Sequence, residues 1–169
     1  IGEDKCIVFG STWERDEEII FEYISEKINK NVKYIIVPHD VSEKNISRIK
    51  SKLNNKVNLL SDYIYNAQNN ILIVDSIGVL KYLYKFSNIS YVGGGFKKKG
   101  LHNILEPCVY GNPVIFGKYF KFSNEAKALI KLKGGFSIQN SKQLKNTING
   151  LLLNANKLKE IEIINSKFI

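Results

Sequence analysis

Residues 91 to 117 read YVGGGFKKKGLHNILEPCVYGNPVIFG and place a glycine-rich turn and a helix start between two short apolar runs. Gly93, Gly94 and Gly95 stand at the end of the predicted strand ISYVG (89–93). Glycine tolerates positive φ and lets backbone amides approach a ligand closely, and the helix that begins near Asn103 directs unpaired N–H groups and its macrodipole at an anion. The pattern therefore predicts a phosphate site. The alternative is a flexible turn, because the spacing matches neither GxGxxG nor a P-loop.

The rest of the chain alternates between strand-like and helix-like segments. The apolar runs, typical of strands covered on both faces, are CIVFG (6–10), YIIV (34–37), VNLL (57–60), ILIV (71–74), ISYVG (89–93), PVIFG (113–117) and GFSI (135–138). Segments with helical periodicity lie between most of them. This order predicts an α/β fold with a Rossmann-like, mostly parallel sheet and helices on both faces. In such a sheet, ligands bind beyond the carboxyl ends of the strands.

Length and composition favour a single domain over residues 1–169, since 44% of the residues are hydrophobic and one core can form. No apolar run approaches the roughly 18 residues of a membrane span, and the first residues lack the order of a signal peptide, so we expect a cytoplasmic protein. Lys and Arg outnumber Asp and Glu by 25 to 16, which favours anionic partners. The lysines are dispersed and accompany no nucleic-acid module, which disfavours a nucleic-acid partner. Cys6 and Cys108 lack metal or redox spacing and are expected in the core.

Three further loops follow predicted strands at the same edge of the sheet: GSTW (10–13), PHD (38–40) and DSIG (75–78). Convergence of several polar loops on one edge predicts a ligand cleft there. The hydroxyls of Ser11 and Thr12 are expected either to line that cleft or to cap the first helix, whose first turn is acidic.

Other side chains at this edge have equally open interpretations. His39 and His102 can donate to a phosphate or can tie their loops to a backbone carbonyl. Asp75 and Ser76 can cap a helix or position a loop against a base. Trp13 is the only tryptophan, and a solitary one near a cleft is expected in the core rather than as a stacking platform.

Asn103 and Glu106 have the spacing of a capping box, so a helix cap is one interpretation of the pair. Pro107 complicates it, because proline removes a wanted donor if Asn103 is the cap, and glutamate is a poor cap if Glu106 takes that place. The other interpretation is a ligand contact. A carboxylate at a helix start can accept two hydrogen bonds from a ribose diol.

The order of these loops resembles that of the 3-deoxy-D-manno-octulosonic acid (Kdo) transferases of lipopolysaccharide synthesis. The segment HNILEP after a glycine-rich strand end is the most specific match. The matching elements are GSTW with the acidic residues after it (10–18), VPH (37–39), DSIGVL with LY two residues on (75–84), YVGGGF with GLHNILEP (91–107), and YGNPVIFG with YxKFxxEA (110–126). They follow one another in order and span nearly the whole chain.

The resemblance implies the C-terminal, nucleotide-sugar half of a metal-independent GT-B glycosyltransferase, which has two Rossmann domains. It implies CMP-Kdo as the donor, a lipid A precursor at the cytoplasmic face of the inner membrane as the acceptor, and no cofactor. The acceptor hydroxyl would attack the anomeric carbon with inversion, and CMP would leave. The family's base and its acceptor-binding and membrane-associating surfaces belong to an N-terminal domain of the same enzyme. We therefore expect no catalytic base in this chain, and donor binding without turnover.

By the same resemblance, Glu106 holds the ribose hydroxyls, and Asn103 with the amides of residues 93–95 faces the phosphate. Residues 76–78 border the cytosine, and residues 11 and 12 line the cleft. The predicted donor-binding residues are Ser11, Thr12, His39, Ser76, Ile77, Gly78, Gly93, Gly94, Gly95, His102, Asn103 and Glu106.

Two positions depart from the family pattern. Many members have Pro-Arg-His where this chain has PHD (38–40), so His39 or one of the lysines in 97–99 is expected to replace the arginine. Val79 stands where members often have an acidic residue. Residues 155–169 are predicted to form a terminal helix that either folds back on this domain or packs on the N-terminal one.

Two rival functions are consistent with the same residues. One is a UDP-sugar transferase or epimerase of the same architecture. The other is a non-catalytic nucleotide-binding or nucleic-acid-binding module that uses the formal charge of +9.

Overall fold

The fold is a parallel β-sheet with helices packed on both faces. The computed structural model describes residues 4–26, 31–62, 65–98 and 100–169. The strands in these ranges are β1 (Lys5–Thr12), β2 (Val32–Pro38), β3 (Asn58–Leu59), β4 (Ile71–Ile73), β5 (Ile89–Val92), β6 (Val114–Gly117) and β7 (Gly135–Ile138). They form one sheet in the order β3-β4-β2-β1-β5-β6-β7, in which every neighbouring pair is parallel. The predicted Rossmann-like α/β fold is confirmed.

The central strand shows why uninterrupted apolar runs form this sheet. Ile7 and Phe9 of β1 are buried in the cluster on one face, and Val8 is buried in a cluster on the other. The ring of Phe9 lies 6.4 Å from that of Tyr34 on β2 and 6.0 Å from that of Tyr91 on β5, measured between centroids. Both faces of β1 are therefore covered, as expected for a parallel strand.

The helices connect the strands. They are α1 (Glu14–Glu26), α2 (Glu43–Lys52), α3 (Leu80–Leu83), α4 (Leu105–Cys108), α5 (Asn124–Lys131), α6 (Ser141–Leu152) and α7 (Ala155–Ser166), and a 3-10 turn, Tyr84–Phe86, follows α3. Ser42, Ser123, Asn140 and Asn154 precede four of these helices, and each side-chain oxygen accepts a hydrogen bond from a backbone N–H of the first turn. Each cap thereby satisfies a donor that the helix leaves free.

One helix starts later than its periodicity predicts. The apolar spacing places Ile77 on the same helical face as Leu80, but α3 begins at Leu80. Ile77 is 85% exposed in the preceding loop. The reason is Gly78, whose φ of +90° interrupts the right-handed helix between them.

The terminal helix α7 folds back on this domain. Ile161 and Asn165 are buried at its contact with the sheet. Asn165 Nδ2 donates to the carbonyls of Asn112 and Gly134 at 2.6 and 3.1 Å. A Cβ on Gly134 would lie 1.8 Å from Asn165 Oδ1, so glycine is required for this close approach. The first of the two predicted placements of residues 155–169 agrees with these contacts, and packing on an N-terminal domain stays a prediction.

The two cysteines lie in apolar surroundings, as predicted. Cys108 is buried, and its thiol donates to the carbonyl of Ile104 at 3.3 Å. Cys6 is half-buried. Burial raises the pKa of Cys108 to about 12 and that of Cys6 to about 11, so both thiols are neutral near pH 7.

The connections reverse direction at β1. The chain passes from β1 to β2 and β4 on one side and then returns to β5 on the other side of β1. The loops after β1 and β5 therefore diverge, which opens a crevice at the carboxyl edge of the sheet. Within the described ranges, no helix is long and apolar enough to cross a membrane.

Candidate functional site

An open cavity of about 560 Å³ lies at the carboxyl ends of the strands. Its lining residues are Ser11, Val37, Pro38, His39, Val41, Ser76, Ile77, Gly78, Leu80, Lys81 and Glu106. Six predicted donor-binding residues thus come together from four separate segments: Ser11, His39, Ser76, Ile77, Gly78 and Glu106. The other six predicted residues are not among those that line this cavity: Thr12, Gly93, Gly94, Gly95, His102 and Asn103.

Glu106 lies in the first turn of α4 and is half-buried at the cavity wall. Asn103 Oδ1 accepts a hydrogen bond from the backbone N–H of Leu105 at 3.0 Å, and Asn103 Nδ2 donates to Glu106 Oε1 at 3.3 Å. Asn103 therefore holds the helix start and orients the carboxylate. A hydrogen bond from the backbone N–H of Asn103 to the Glu106 carboxylate, which would complete a capping box, is not among the contacts of Glu106. Pro107 is the third residue of α4, where the missing N–H removes no intrahelical bond.

Tyr84 lies between the cavity and the core. It is 1% exposed, and a Cβ on Gly10 would lie 2.1 Å from its hydroxyl. Burial raises the pKa of Tyr84, and the nearby charge of Glu106 raises it further. The phenol therefore stays protonated next to the Glu106 carboxylate. Glycine at position 10 is what lets this ring approach β1.

The glycine loop, residues 93–95, is closed by contacts within the protein. Gly93 N donates to the carbonyl of Gly10 at 2.8 Å, and Gly94 N donates to Asp16 Oδ2 at 3.1 Å. A Cβ on Gly95 would lie 2.5 Å from the backbone N of Gly117. In this structure the amides of Gly93 and Gly94 thus already have protein acceptors, and a phosphate contact by the amides of residues 93–95 stays a prediction. Glycine serves here for close packing of backbones.

Asp16 is the residue that closes this loop, and the sequence analysis missed it. It is 1% exposed, and its carboxylate also accepts from the hydroxyl of Tyr91 at 2.7 Å and from the backbone N of Trp13 at 3.0 Å. Burial raises the pKa of Asp16, and these hydrogen bonds oppose that rise. Its position in an acidic first turn suggested only an interaction with the macrodipole.

Thr12 does not line the cavity. It is 1% exposed, and its hydroxyl donates to Glu17 Oε1 at 3.1 Å. The other oxygen of Glu17 pairs with Arg48. The expectation that Thr12 contacts the donor is therefore replaced by a structural role at the start of α1.

Asp75 accepts hydrogen bonds from the backbone N of Ser61, at 3.1 Å, and from the hydroxyl of Ser61. It joins the loops after β3 and β4 and does not cap α3, which has no side-chain cap. Of the two interpretations of Asp75, the structure favours the one in which it positions the loop that carries Ser76.

The indole–imidazole stack, formed by Trp13, His39 and His102, lies beside the cavity. Trp13 and His39 are stacked with centroids 4.1 Å apart, and His39 and His102 with centroids 4.9 Å apart. The ammonium of Lys97 lies 3.4 Å from the centroid of the Trp13 ring. The prediction that Trp13 is a core residue is wrong, because it is half-buried at the sheet edge and its indole is engaged by these rings.

His102 is held neutral in this stack. Trp13 Nε1 donates to His102 Nε2 at 2.8 Å, so the imidazole proton lies on Nδ1. Burial lowers the pKa of His102, and the nearby His39 and Lys97 lower it further, against a smaller opposing effect of Asp16. Its backbone N donates to the carbonyl of Gly93 at 3.2 Å. His102 thus ties the loop together, which is one of the two interpretations drawn from the sequence.

Lys81 is a cavity-lining residue that the sequence did not single out. It lies on α3, and its ammonium is 4.9 Å from the centroid of the Tyr82 ring. In the described part of the chain no carboxylate forms an ion pair with it. One wall of the cavity therefore has a carboxylate, Glu106, and another has an ammonium group that lacks an acidic partner. Of the lysines expected to replace the family arginine, Lys97 lies on Trp13, and Lys99 is outside the described residues.

No family model matches the chain, but curated relatives do. The chain is 35% identical over 180 residues to a bifunctional glycosyltransferase/methyltransferase of Fusobacterium nucleatum, and the aligned region covers 99% of this chain and 26% of the relative. It is 33% identical over 149 residues to the 3-deoxy-D-manno-octulosonic acid transferase of Aquifex aeolicus, which covers 86% of this chain and 41% of that protein. The chain thus spans less than half the length of these relatives.

A solved structure extends the comparison. The C-terminal CMP-Kdo binding domain of WaaA from Acinetobacter baumannii superposes with a TM-score of 0.89 at 23% identity, over 99% of this chain and 90% of that one. At this identity the likeness shows the fold, which is that of one Rossmann-like domain of a GT-B glycosyltransferase. The curated relatives confirm the resemblance that the motifs indicate: this chain belongs to the family of the 3-deoxy-D-manno-octulosonic acid transferases.

Proposed function

We propose that this chain is the donor-binding domain of a glycosyltransferase that moves Kdo from CMP-Kdo to a lipid A precursor. The observation that carries the proposal is the open cavity, in which Glu106 and Lys81 supply opposite charges at the carboxyl edge of a Rossmann-like sheet. A nucleoside monophosphate offers a neutral diol to the first and an anion to the second. The similarity to Kdo transferases supplies the sugar and the nucleotide.

Each lining residue has a role in this proposal. The Glu106 carboxylate, oriented by Asn103, accepts hydrogen bonds from the two ribose hydroxyls. The loop of residues 76–78 borders the cytosine. Apart from Gly78 and its two chain neighbours, no heavy atom lies within 4 Å of a Cβ built on Gly78, which leaves room for a base. Lys81 pairs with the phosphate in place of the expected arginine. Ser11 and His39 line the remaining wall.

The chemistry follows from where charge develops. As the bond between the anomeric carbon and the phosphate oxygen breaks, negative charge grows on the CMP phosphate. A fixed cation at that place stabilises the transition state more than the ground state. The acceptor hydroxyl must lose a proton to a base, and that base is assigned to an N-terminal domain of the same enzyme. This chain is therefore expected to bind the donor without turning it over.

The proposal extends to the whole enzyme. Its partners are CMP-Kdo, the lipid A precursor and the N-terminal domain, and it acts at the cytoplasmic face of the inner membrane. Neither a cofactor nor a metal ion is needed, because the leaving phosphate is neutralised by side chains.

Isothermal titration of the chain with CMP tests the proposal. We expect CMP to bind, and Glu106→Gln to weaken binding by about 5-fold to 150-fold, because a charged acceptor for the ribose diol is lost, on the order of 1 to 3 kcal/mol. The matched control is Glu125→Gln, since Glu125 is also in the first turn of a helix but is exposed on α5. It should leave the affinity unchanged.

Competing nucleotides and polymers separate the rival functions. Tighter binding of UDP than of CMP would favour a UDP-sugar enzyme. Binding to polyanions that falls steeply with salt and ignores Glu106→Gln would favour a nucleic-acid module. A Glu106→Gln variant that loses mainly thermal stability would favour a helix-start role for this residue.

A further inference from the structure

The loop after β6 displays aromatic rings and lysines to solvent. Residues 118–122 read KYFKF, and Phe122 is 94% exposed while Tyr119 is 41% exposed. Lys118 and Lys121 are exposed between and beside these rings, and the ammonium of Lys118 lies 5.2 Å from the centroid of the Tyr119 ring. We call the surface formed by these four residues and Lys98 the lysine–aromatic patch.

The patch is held in place by its neighbours. Tyr119 N donates to the carbonyl of Gly95 at 2.8 Å, and Ser123 N donates to the carbonyl of Phe120 at 2.9 Å. Phe120 points inward, with its ring edge-on to Phe116 at a centroid distance of 5.5 Å. The loop therefore has an anchored inner ring and exposed outer rings. These hydrogen bonds hold the backbone on either side of Phe122, and its ring projects into solvent.

Two shallow hollows flank Phe122. The first, of about 240 Å³, is lined by Lys98, Tyr119, Lys121 and Phe122. The second, of about 220 Å³, lies between the same aromatic rings and residues 100, 101, 120 and 123. Scattered exposed apolar residues need no explanation, but contiguous ones rimmed by polar groups mark an interaction surface.

The charge around the patch has one sign. The described segments that form it and its border, 95–98 and 117–125, contain Lys97, Lys98, Lys118 and Lys121 against a single acid, Glu125. The carboxylate of Glu125 accepts from the hydroxyl of Ser123 and lies in the first turn of α5. The patch is thus cationic with apolar rings projecting from it. That combination is complementary to an anionic lipid surface, where lysines meet the headgroups and aromatic rings insert at the acyl boundary.

We propose that the lysine–aromatic patch docks this domain on an anionic membrane surface. The patch lies at the same edge of the sheet as the open cavity, because both follow the carboxyl ends of strands. Docking there turns the cavity edge of the domain toward the lipid. The proposal stands on the exposure and charge of this loop and does not depend on the identity of the nucleotide.

Sedimentation of the 169-residue chain with vesicles tests this. The vesicles contain phosphatidylcholine alone or phosphatidylcholine mixed with phosphatidylglycerol, at low and high salt. We expect binding to the anionic vesicles only, weakened by salt. Phe122→Ser should reduce the partition coefficient at least about tenfold, and Lys121→Ser about fivefold.

Matched controls are Leu153→Ser and Lys85→Ser. Leu153 is 88% exposed after the last turn of α6, and Lys85 is exposed just before β5, so both lie toward the amino ends of the strands, away from the edge that carries the patch. Neither should change vesicle binding. Equal losses in patch and control variants would overturn the proposal, as would the absence of any preference for anionic vesicles.

Two alternative occupants give different outcomes. If the patch is a contact between copies of this chain, Phe122→Ser will abolish a dimer seen by analytical ultracentrifugation, and vesicles will not compete with that dimer. If it binds nucleic acid, single-stranded oligonucleotides will bind in a Phe122-dependent way while vesicles do not. Either result refutes the proposal. Thermal unfolding of each variant verifies that the fold is unchanged, and none of these measurements requires CMP to bind.

Discussion

The glycine loop and the open cavity lie at the same edge of the sheet but differ in how their polar groups are used. In the glycine loop, the amides of Gly93 and Gly94 already donate to protein acceptors, and Asp16 collects three hydrogen bonds in a buried position. In the open cavity, Glu106 and Lys81 face solvent without an ion-pair partner in the described ranges. The difference separates a part that holds the edge together from a part with free polar groups for a ligand.

The largest expected effect is on the closed side. Asp16→Ala removes the acceptor of two backbone amides and the Tyr91 hydroxyl, and the Gly94 amide and that hydroxyl are then buried without this acceptor. We expect the free energy of unfolding to fall by about 3 kcal/mol or more in urea titrations. Asp62→Ala, which removes an exposed acceptor of one backbone amide, should change it by less than about 1 kcal/mol. Similar losses in the two variants would contradict the distinction.

On the open side, we expect an effect on binding and none on stability. Lys81→Gln removes the unpaired cation, and CMP affinity should fall by about twofold to fivefold, the upper part of the range for an exposed charge contact to an anion. Cytidine, which lacks the phosphate, should bind the variant and the unaltered chain equally. Lys85→Gln is the control, because Lys85 lines a separate cavity. If the Lys81→Gln variant binds CMP with full affinity, Lys81 does not contact the phosphate.

The smallest effect lies at the border of the two regions. Trp13→Phe removes the indole N–H that occupies His102 Nε2 and leaves the imidazole less buried. Since burial is the main cause of the lowered pKa of His102, that pKa should rise toward its ordinary value of 6.5. Proton NMR titration of His102 in the unaltered chain and in the variant measures the change.

The sign of the linked stability follows from the same pKa. A lowered pKa in the folded protein means that the unfolded chain binds the proton more tightly, so this contribution of His102 to stability is present above about pH 6.5 and is lost as the pH falls below it. In Trp13→Phe the acid-side loss should be smaller. An unchanged or lower His102 pKa in the variant would contradict the assigned hydrogen bond.

The sequence predicted the sheet well because burial on both faces leaves a simple signal. Each strand overlaps one of the runs identified in the sequence, including the two residues of β3, which lie within VNLL (57–60). The one shifted helix start, near Ile77, depends on the positive φ of Gly78. The spacing of apolar residues carries no information about the backbone conformation of a glycine.

The site was predicted only in part, for a physical reason. The loops that carry Ser11, His39 and Glu106 follow strands, and parallel strands bring such loops to one edge. The acceptor of the Gly94 amide, by contrast, is set by tertiary structure: Asp16 is 78 residues from Gly94 in sequence. One lysine among 25 basic residues has no local signal that places it in a cavity.

A crystal structure of the chain with CMP tests the central claim most directly. The account predicts the ribose hydroxyls within hydrogen-bond distance of the Glu106 carboxylate, the base beside residues 76–78 and the phosphate next to Lys81. A nucleotide bound away from these residues, or a Glu106 side chain turned into the core, would contradict it.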